Sequence, residues 1–341
     1  MTTDAGNDVS RRNILVLRTD RIGDVVLSTP VFSSIRKARP RWNISVLVRP
    51  MIAELLENHP DIDEIITLDT NDKPSFFNCA QRLHKKLRPE NFDFAVHLYS
   101  DFWVSMAVWR AGIPLRIGPA SKAAQIFYNR SIKQRRSKGF LHEADYSLAL
   151  LKPLGIEAVR KSSIAVLENP AEKAASLLDS GKKNVGVFPG MGGSARNWQP
   201  SRYAGLSDNI SANGVNVILV CGPGEKRLIE NVESISSKKP ALYVAGGLKE
   251  LAAFIKSLDC FVAPSTGPLH IASAVGTPAV GIYCPIRVCL PSRWGPIGEN
   301  DSALKPDVPV CESCTGRQCE YYDCMDSLDV ETVANAVMER T

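Results

Sequence analysis

Short apolar, β-branched runs recur along the chain with helical periods between them, and they do so in two successive arrays. In the first array NILVLR (13–18), ISVLV (44–48), EIITL (64–68) and FDFAVHL (92–98) read as strands. Residues 25–39 carry Leu27, Val31 and Ile35 at helical spacing, and CAQRLHKKLR (79–88) reads as a helix. DYSLALLKPLG (145–155) closes the array, stopped by Pro153 and Gly155. The alternation restarts with NVGVFPG (184–190), VNVILVCG (215–222), ALYVAG (241–246), DCFVAP (259–264) and PAVGIY (278–283). LKELAAFIKSL (248–258) puts Leu248, Leu251, Ile255 and Leu258 on one helical face. DVETVANAVMER (329–340) is a closing amphipathic helix. Strands alternating with helices predict an α/β fold of parallel sheets with crossover helices.

The length, 341 residues, suits two such units. The division expected is a leader over 1–12, a first half over 13–168, a second over 169–326 and a terminal helix over 327–341. SIAVLENP (163–170) and the helical stretch AEKAASLLDSG (171–181) form the joint. No residue-level repeat relates the halves. An apolar content of 44% with 23% charged residues supports ordinary cores and excludes a disordered or collagen-like chain. The net charge of +5 says little until its placement is known.

The start, MTTDAGNDVSRRN, lacks the apolar stretch of a signal sequence, so a cytoplasmic protein is expected. From Cys260 to Pro285 no residue is acidic or basic, but Pro264, Pro268 and Pro278 interrupt the run. Two buried parallel strands around a buried helix explain it better than a membrane span.

Four segments place small, polar and charged residues at expected strand ends. RTDRIGDVVLSTP (18–30) brings Asp24 to the start of a helix, either as its N-cap or as a carboxylate at the strand's carboxyl end. Pro30 either kinks that helix or opens another. PSTGPLHIASAVGTP (264–278) offers Ser265 or Thr266 as a cap, with Gly267 and Pro268 beginning a helix whose free N–H groups suit an anion. His270 lies in its first turn, to touch a ligand or simply to pack. FPGMGGSARNWQP (188–200) is a Gly-rich loop carrying Arg196, a cation fit for phosphate oxygens. VCGPGEKR (220–227) offers Glu225 to the hydroxyls of a ribose, or to solvent. Together they compose what a nucleotide-diphosphate site requires.

Those residues carry a resemblance. RTDRIGDVVLSTPVFSSIRKARP resembles the opening motif of glycosyltransferase family 9, the lipopolysaccharide heptosyltransferases. HEADYSLALLKPLGI (142–156), ARNWQP (195–200), PSTGPLHIASAVGTPAVGIYCP (264–285) and RWGP (293–296) continue it in order, and Cys324–Met325 resembles a feature of the second type of heptosyltransferase. The resemblance implies a GT-B fold: two Rossmann-like domains, an acceptor-binding first half and a donor-binding second half, with parallel sheets facing a central cleft. It implies Asp24 as general base, Arg196 where the family usually has Lys, Glu225 on the ribose, and Ser265, Thr266 and Gly267 at the diphosphate with His270 following. Many members have Asp where this chain has Ser265. An ADP-activated heptose is the implied donor and an inner-core glycolipid the implied acceptor. Catalysis then needs no metal, and single displacement implies inversion. The competing readings are a non-catalytic sugar-binding protein and a sugar-nucleotide epimerase on the same fold.

From Arg110 to Lys138 there are eight basic residues and no acidic one. Arg116, Lys122 and Arg130 are the candidates here for an anionic glycolipid acceptor, and the stretch is the candidate for peripheral contact with a membrane; otherwise it is a solvated loop or helix face. No nucleic-acid motif is present. Cys79, Cys221 and Cys260 read as core residues. Cys311, Cys314, Cys319 and Cys324 form a C-x2-C-x4-C-x4-C pattern expected to lie away from the chemistry, as reduced thiols, adventitious disulfides or a structural zinc or iron–sulfur site.

Overall fold

The computed structural model describes residues 11–68, 76–166, 169–193 and 195–341. It divides into two compact units. One runs to Arg136 and takes in Glu143–Ala165; the other holds Ser137–His142 and Val166–Thr341.

The first unit contains six parallel strands: β1 (Asn13–Leu17), β2 (Asn43–Val48), β3 (Glu64–Thr67), β4 (Phe94–His97), β5 (Leu115–Pro119) and β6 (Arg130–Ile132), in the order β3-β2-β1-β4-β5-β6. The second contains β7 (Asn184–Val187), β8 (Asn216–Cys221), β9 (Ala241–Val244), β10 (Cys260–Pro264), β11 (Ala279–Ile282) and β12 (Ser302–Leu304), in the order β12-β11-β10-β7-β8-β9. Counted within each unit the two orders are the same. The chain therefore repeats a topology without repeating a sequence. The order reverses beside β1 and β4 in one sheet and beside β7 and β10 in the other, where open α/β sheets form their binding crevices.

Nine of these strands answer the apolar runs. β5, β6 and β12 were not expected. β5 and β6 lie inside the basic stretch, so part of what read as a loop or helix face is sheet. β1 and β10 are apolar on both faces because helices cover both sides: Ile14, Leu15, Val16 and Leu17, like Phe261, Val262 and Ala263, are almost wholly buried. The uncharged run after Cys260 is β10, the helix Gly267–Val275 and β11, with β10 pairing β11 in parallel. Gly276, at φ +87°, ends that helix in a left-handed turn. Among the described residues no helix is long and apolar enough to cross a membrane.

The helix expected over 25–39 is two helices. Ile22–Val26 stops, and Thr29–Ala38 starts with Pro30 in its first turn, where the missing N–H costs no bond. The joint helix is shorter than its pattern, Glu172–Ala175, and residues 167 and 168 of SIAVLENP fall outside the described residues. The side chain of Cys79 does as well. The terminal helix Val330–Met338 is capped by Asp329, whose Oδ1 accepts the Thr332 N–H at 2.6 Å.

Candidate functional site

At the carboxyl end of β1, Arg18 turns inward with no measurable exposure. Burying a guanidinium requires partners for all five of its N–H donors. They are present. Nε donates to Asp20 Oδ1 at 2.8 Å. Nη1 donates to the Leu98 carbonyl at 3.1 Å and Ser147 Oγ at 3.4 Å. Nη2 donates to Asp24 Oδ1 at 2.5 Å and Glu143 Oε1 at 3.1 Å. Arg136 adds a second cation to Glu143 Oε1 at 2.6 Å.

Asp24 is not the N-cap. Arg21 occupies that position without a side-chain bond, and Asp24 sits inside the helix Ile22–Val26. Its carboxylate is aimed by Arg18 instead, at 14% side-chain exposure. Among the described residues the side-chain bond of Asp24 is made through Oδ1. Burial pushes the neighbouring Asp20 carboxyl up, against the pull of Arg18. Asp20 and Asp24 thus share one guanidinium, each with 14% of its side chain exposed.

In the second unit the expected donor residues gather at the ends of β7, β8 and β10. At the loop after β7 an open hollow of about 220 Å³ is lined by Pro189, Met191, Asn197, Trp198, Tyr203 and Leu228. Trp198 is buried and donates its indole N–H to the Met325 and Leu328 carbonyls at 3.1 and 3.2 Å. Asn197 reaches back to the Pro189 carbonyl at 2.8 Å and takes the Tyr203 hydroxyl at 2.7 Å. Glu225 precedes the helix Lys226–Ile235 and lies against Gly190, where an added Cβ would stand 2.4 Å from Oε1. Oε2 accepts the Gly222 N–H at 3.3 Å.

Thr266 is the N-cap of Gly267–Val275 but makes no side-chain cap bond, so its side chain takes none of the first N–H groups of that helix. Ser265 donates its backbone N–H to the Ile282 carbonyl at 3.1 Å. His270 is buried, and its Nδ1 has no partner among the described residues. Burial, with a smaller push from His142, lowers His270 to about 3, so its imidazole is neutral.

Arg196, a candidate donor residue, meets the cysteine-rich segment, which the sequence placed apart from the candidate site. Nη1 lies 3.4 Å from Cys314 Sγ, and the guanidinium stacks 4.9 Å from the Tyr322 ring. Cys284 and Cys289, absent from the sequence argument, join this neighbourhood. A hydrogen bond with Cys289 draws the Cys284 thiol down against its burial, and the Arg196 backbone N–H adds to it. Among the described residues no three or more His, Cys, Asp or Glu side chains are assembled as a metal site. Cys221 and Cys260 are buried in the core, as their scatter suggested.

The acceptor candidates differ in what they do. Arg116 donates Nε to the Phe127 carbonyl at 2.7 Å and Nη1 to that of Ile113 at 2.5 Å, tying its own loop together. Lys122 is exposed, with its ammonium 4.7 Å from the Tyr99 ring. Arg130 is exposed and donates to the Asn129 carbonyl at 3.0 Å. Arg18 and Glu143 were the residues missed. Both stand in the quoted motifs, but nothing in a single sequence pairs positions 125 residues apart.

The model of glycosyltransferase family 9 (heptosyltransferase) matches residues 80–324. The chain belongs to that family. A Haemophilus influenzae protein named simply as a glycosyltransferase is 33% identical over 312 residues, 85% of this chain and 88% of that one. The lipopolysaccharide core heptosyltransferase OpsX of the same organism is 26% identical over 80% of this chain and 79% of its own. An Escherichia coli heptosyltransferase solved with ADP superposes with a TM-score of 0.77 at 16% identity, covering 96% of this chain and 100% of that one. This family 9 protein is a glycosyltransferase of the GT-B fold, not a bare binding protein or an epimerase.

Proposed function

We propose that this enzyme transfers a heptose from an ADP-activated donor to an anionic glycolipid of the lipopolysaccharide inner core, at the cytoplasmic face of the membrane. The observation that carries the reading is the Asp24 carboxylate, fixed by Arg18 through one oxygen at the crevice end of β1. Its other oxygen accepts the proton of the attacking hydroxyl. Transfer comes late, as the oxygen bonds to the anomeric carbon and becomes acidic. The diphosphate leaves with its electron pair from the opposite face, so configuration inverts. The N–H groups that open Gly267–Val275, with Arg196, receive the charge it gains. Glu225 faces the ribose and the hollow beside Trp198 takes the base.

Cations and amides supply the positive charge, so transfer proceeds without metal. Full activity in excess chelator is expected; loss that added divalent metal restores would contradict it.

The membrane reading draws on the first unit. Phe102, Trp109 and Ile126 are 37%, 51% and 70% exposed. Phe127 lies 5.1 Å from Phe102 and 5.8 Å from Trp109, ring centre to ring centre. Exposed Arg110, Lys122 and Arg130 belong to the same stretch. Aromatics with basic neighbours suit an anionic bilayer surface, each cation adding about 1 kcal/mol.

The deciding experiment is Asp24→Asn. Transfer should be abolished while titration with ADP-heptose still shows binding. Retained turnover would remove Asp24 from the mechanism.

A further inference from the structure

Glu143 lies in the first turn of the helix Glu143–Leu148, with 1% of its side chain exposed. Its Oε1 is shared between Arg18 at 3.1 Å and Arg136 at 2.6 Å. A carboxylate buried so completely is costly unless it is paired. This one is paired to the guanidinium that holds Asp24. Nη2 of Arg18 serves both carboxylates, so Glu143 and Asp24 sit on the same nitrogen.

Two consequences follow. The first is geometric. With its five donors committed, Arg18 cannot rotate without breaking several bonds, and the Asp24 carboxylate inherits that fixity. The second is electrostatic. Arg18 is the cation bonded to Asp24 among the described residues. Glu143 offsets that charge, and Arg136 partly offsets Glu143.

We propose that Glu143 is a positioning residue for glycosyl transfer, acting through Arg18 to set both the orientation and the basicity of Asp24. The inference rests on the reading of Asp24 as general base. The charged groups around Asp24 are Arg18 from the end of β1, Asp20 from the following loop, Glu143 from its helix and Arg136 from the turn before that helix. Arg21 is exposed at the start of Asp24's own helix, and Arg49, after β2, donates Nε to the Thr19 carbonyl at 2.7 Å.

The test is a pair of charge-removing variants whose effects have opposite sign. Glu143→Gln keeps the shape and removes a negative charge. The acid limb of the pH–rate profile should move to lower pH and kcat should fall about tenfold to a hundredfold, the scale of a misplaced catalytic group. The donor KM should stay the same, because the donor is held by the second unit's residues. Arg136→Gln removes a positive charge, and its acid limb should move to higher pH. Glu143→Asp should recover part of kcat. A merely structural role would lower activity with the folded fraction and move neither limb. Unmoved limbs in both variants overturn the proposal. If Glu143→Gln does not fold, Arg136→Gln decides alone, its side chain being 17% exposed. An active Asp24→Asn would overturn the underlying reading of the base; an inactive one with unmoved limbs would overturn only the role of Glu143.

Discussion

Arg196 donates from Nη1 to Cys314 Sγ across 3.4 Å, so a cation suited to a diphosphate is paired with a thiol. That bond draws the Cys314 thiol below its ordinary range. Cys314 is exposed, whereas burial pushes the Cys260 thiol up to about 12. Iodoacetamide near pH 7.5 should therefore alkylate Cys314 well before Cys260. If Arg196 turns to the diphosphate, saturating ADP should move the pH dependence of Cys314 labelling upward. A labelling profile indifferent to ADP would mean that Arg196 stays on the thiol. Peptide mapping by mass spectrometry reads both.

Gly190→Ala should weaken donor binding more than stability. An added Cβ would meet the Glu225 carboxylate and, at 2.7 Å, the Phe188 ring, so both side chains must shift. Gly192→Ala is the control, since nothing in the protein lies within 4 Å of its added Cβ. Titration with ADP should show about tenfold weaker binding for Gly190→Ala, the scale of one displaced hydrogen-bonding group. Equal affinities in the two variants would place Glu225 outside the nucleotide site.

Trp198→Phe should destabilise the second unit and disturb its terminal segment. The indole N–H serves two carbonyls, those of Met325 and Leu328; with Phe the Met325 carbonyl keeps the Leu328 N–H at 3.3 Å, while the buried Leu328 carbonyl loses the indole. A loss of about 1–3 kcal/mol is expected from denaturant unfolding. Hydrogen exchange should rise at residues 325–328. A variant as stable as the parent would show that water replaces the indole without cost.

What could be read from the chain, and what could not, follows from where the information lies. β1, β2, β7, β8 and β10 are buried on both faces, so their apolar runs stood out. β5 was hidden because Arg116 turns back to its own loop's carbonyls and Pro119 ends the strand, which gives it no apolar signature. β12, three residues long, is too short to show a period. Asp24 could be singled out as a candidate because it sits in a local motif. Its orientation could not be read, because Arg18 needs Leu98, Glu143 and Ser147, all brought in by the sheet and by a helix far along the chain. The same separation hid the meeting of Arg196 with Cys314.

Acid stability should be governed partly by two buried imidazoles. Burial lowers His97 to about 3, with a smaller contribution from Arg116, and lowers His270 to about the same value. In the unfolded chain a histidine titrates near 6.5. Between those limits the unfolded state binds protons that the folded state refuses. Both folded values are depressed, so the contribution is complete above about pH 6.5 and is lost as pH falls toward 3. The slope reaches about 1.4 kcal/mol per pH unit for each histidine. His97 Nδ1 lies 3.5 Å from Ser105 Oγ, so His97→Asn keeps a polar group there without a titrating one. His270→Gln does the same at the start of Gly267–Val275. From pH 7.5 to pH 5 each variant should lose about 2 kcal/mol less than the parent, by urea unfolding at the two pH values. Parallel losses in parent and variants would show that these imidazoles take up protons in the folded state, which would put water beside rings that are buried here.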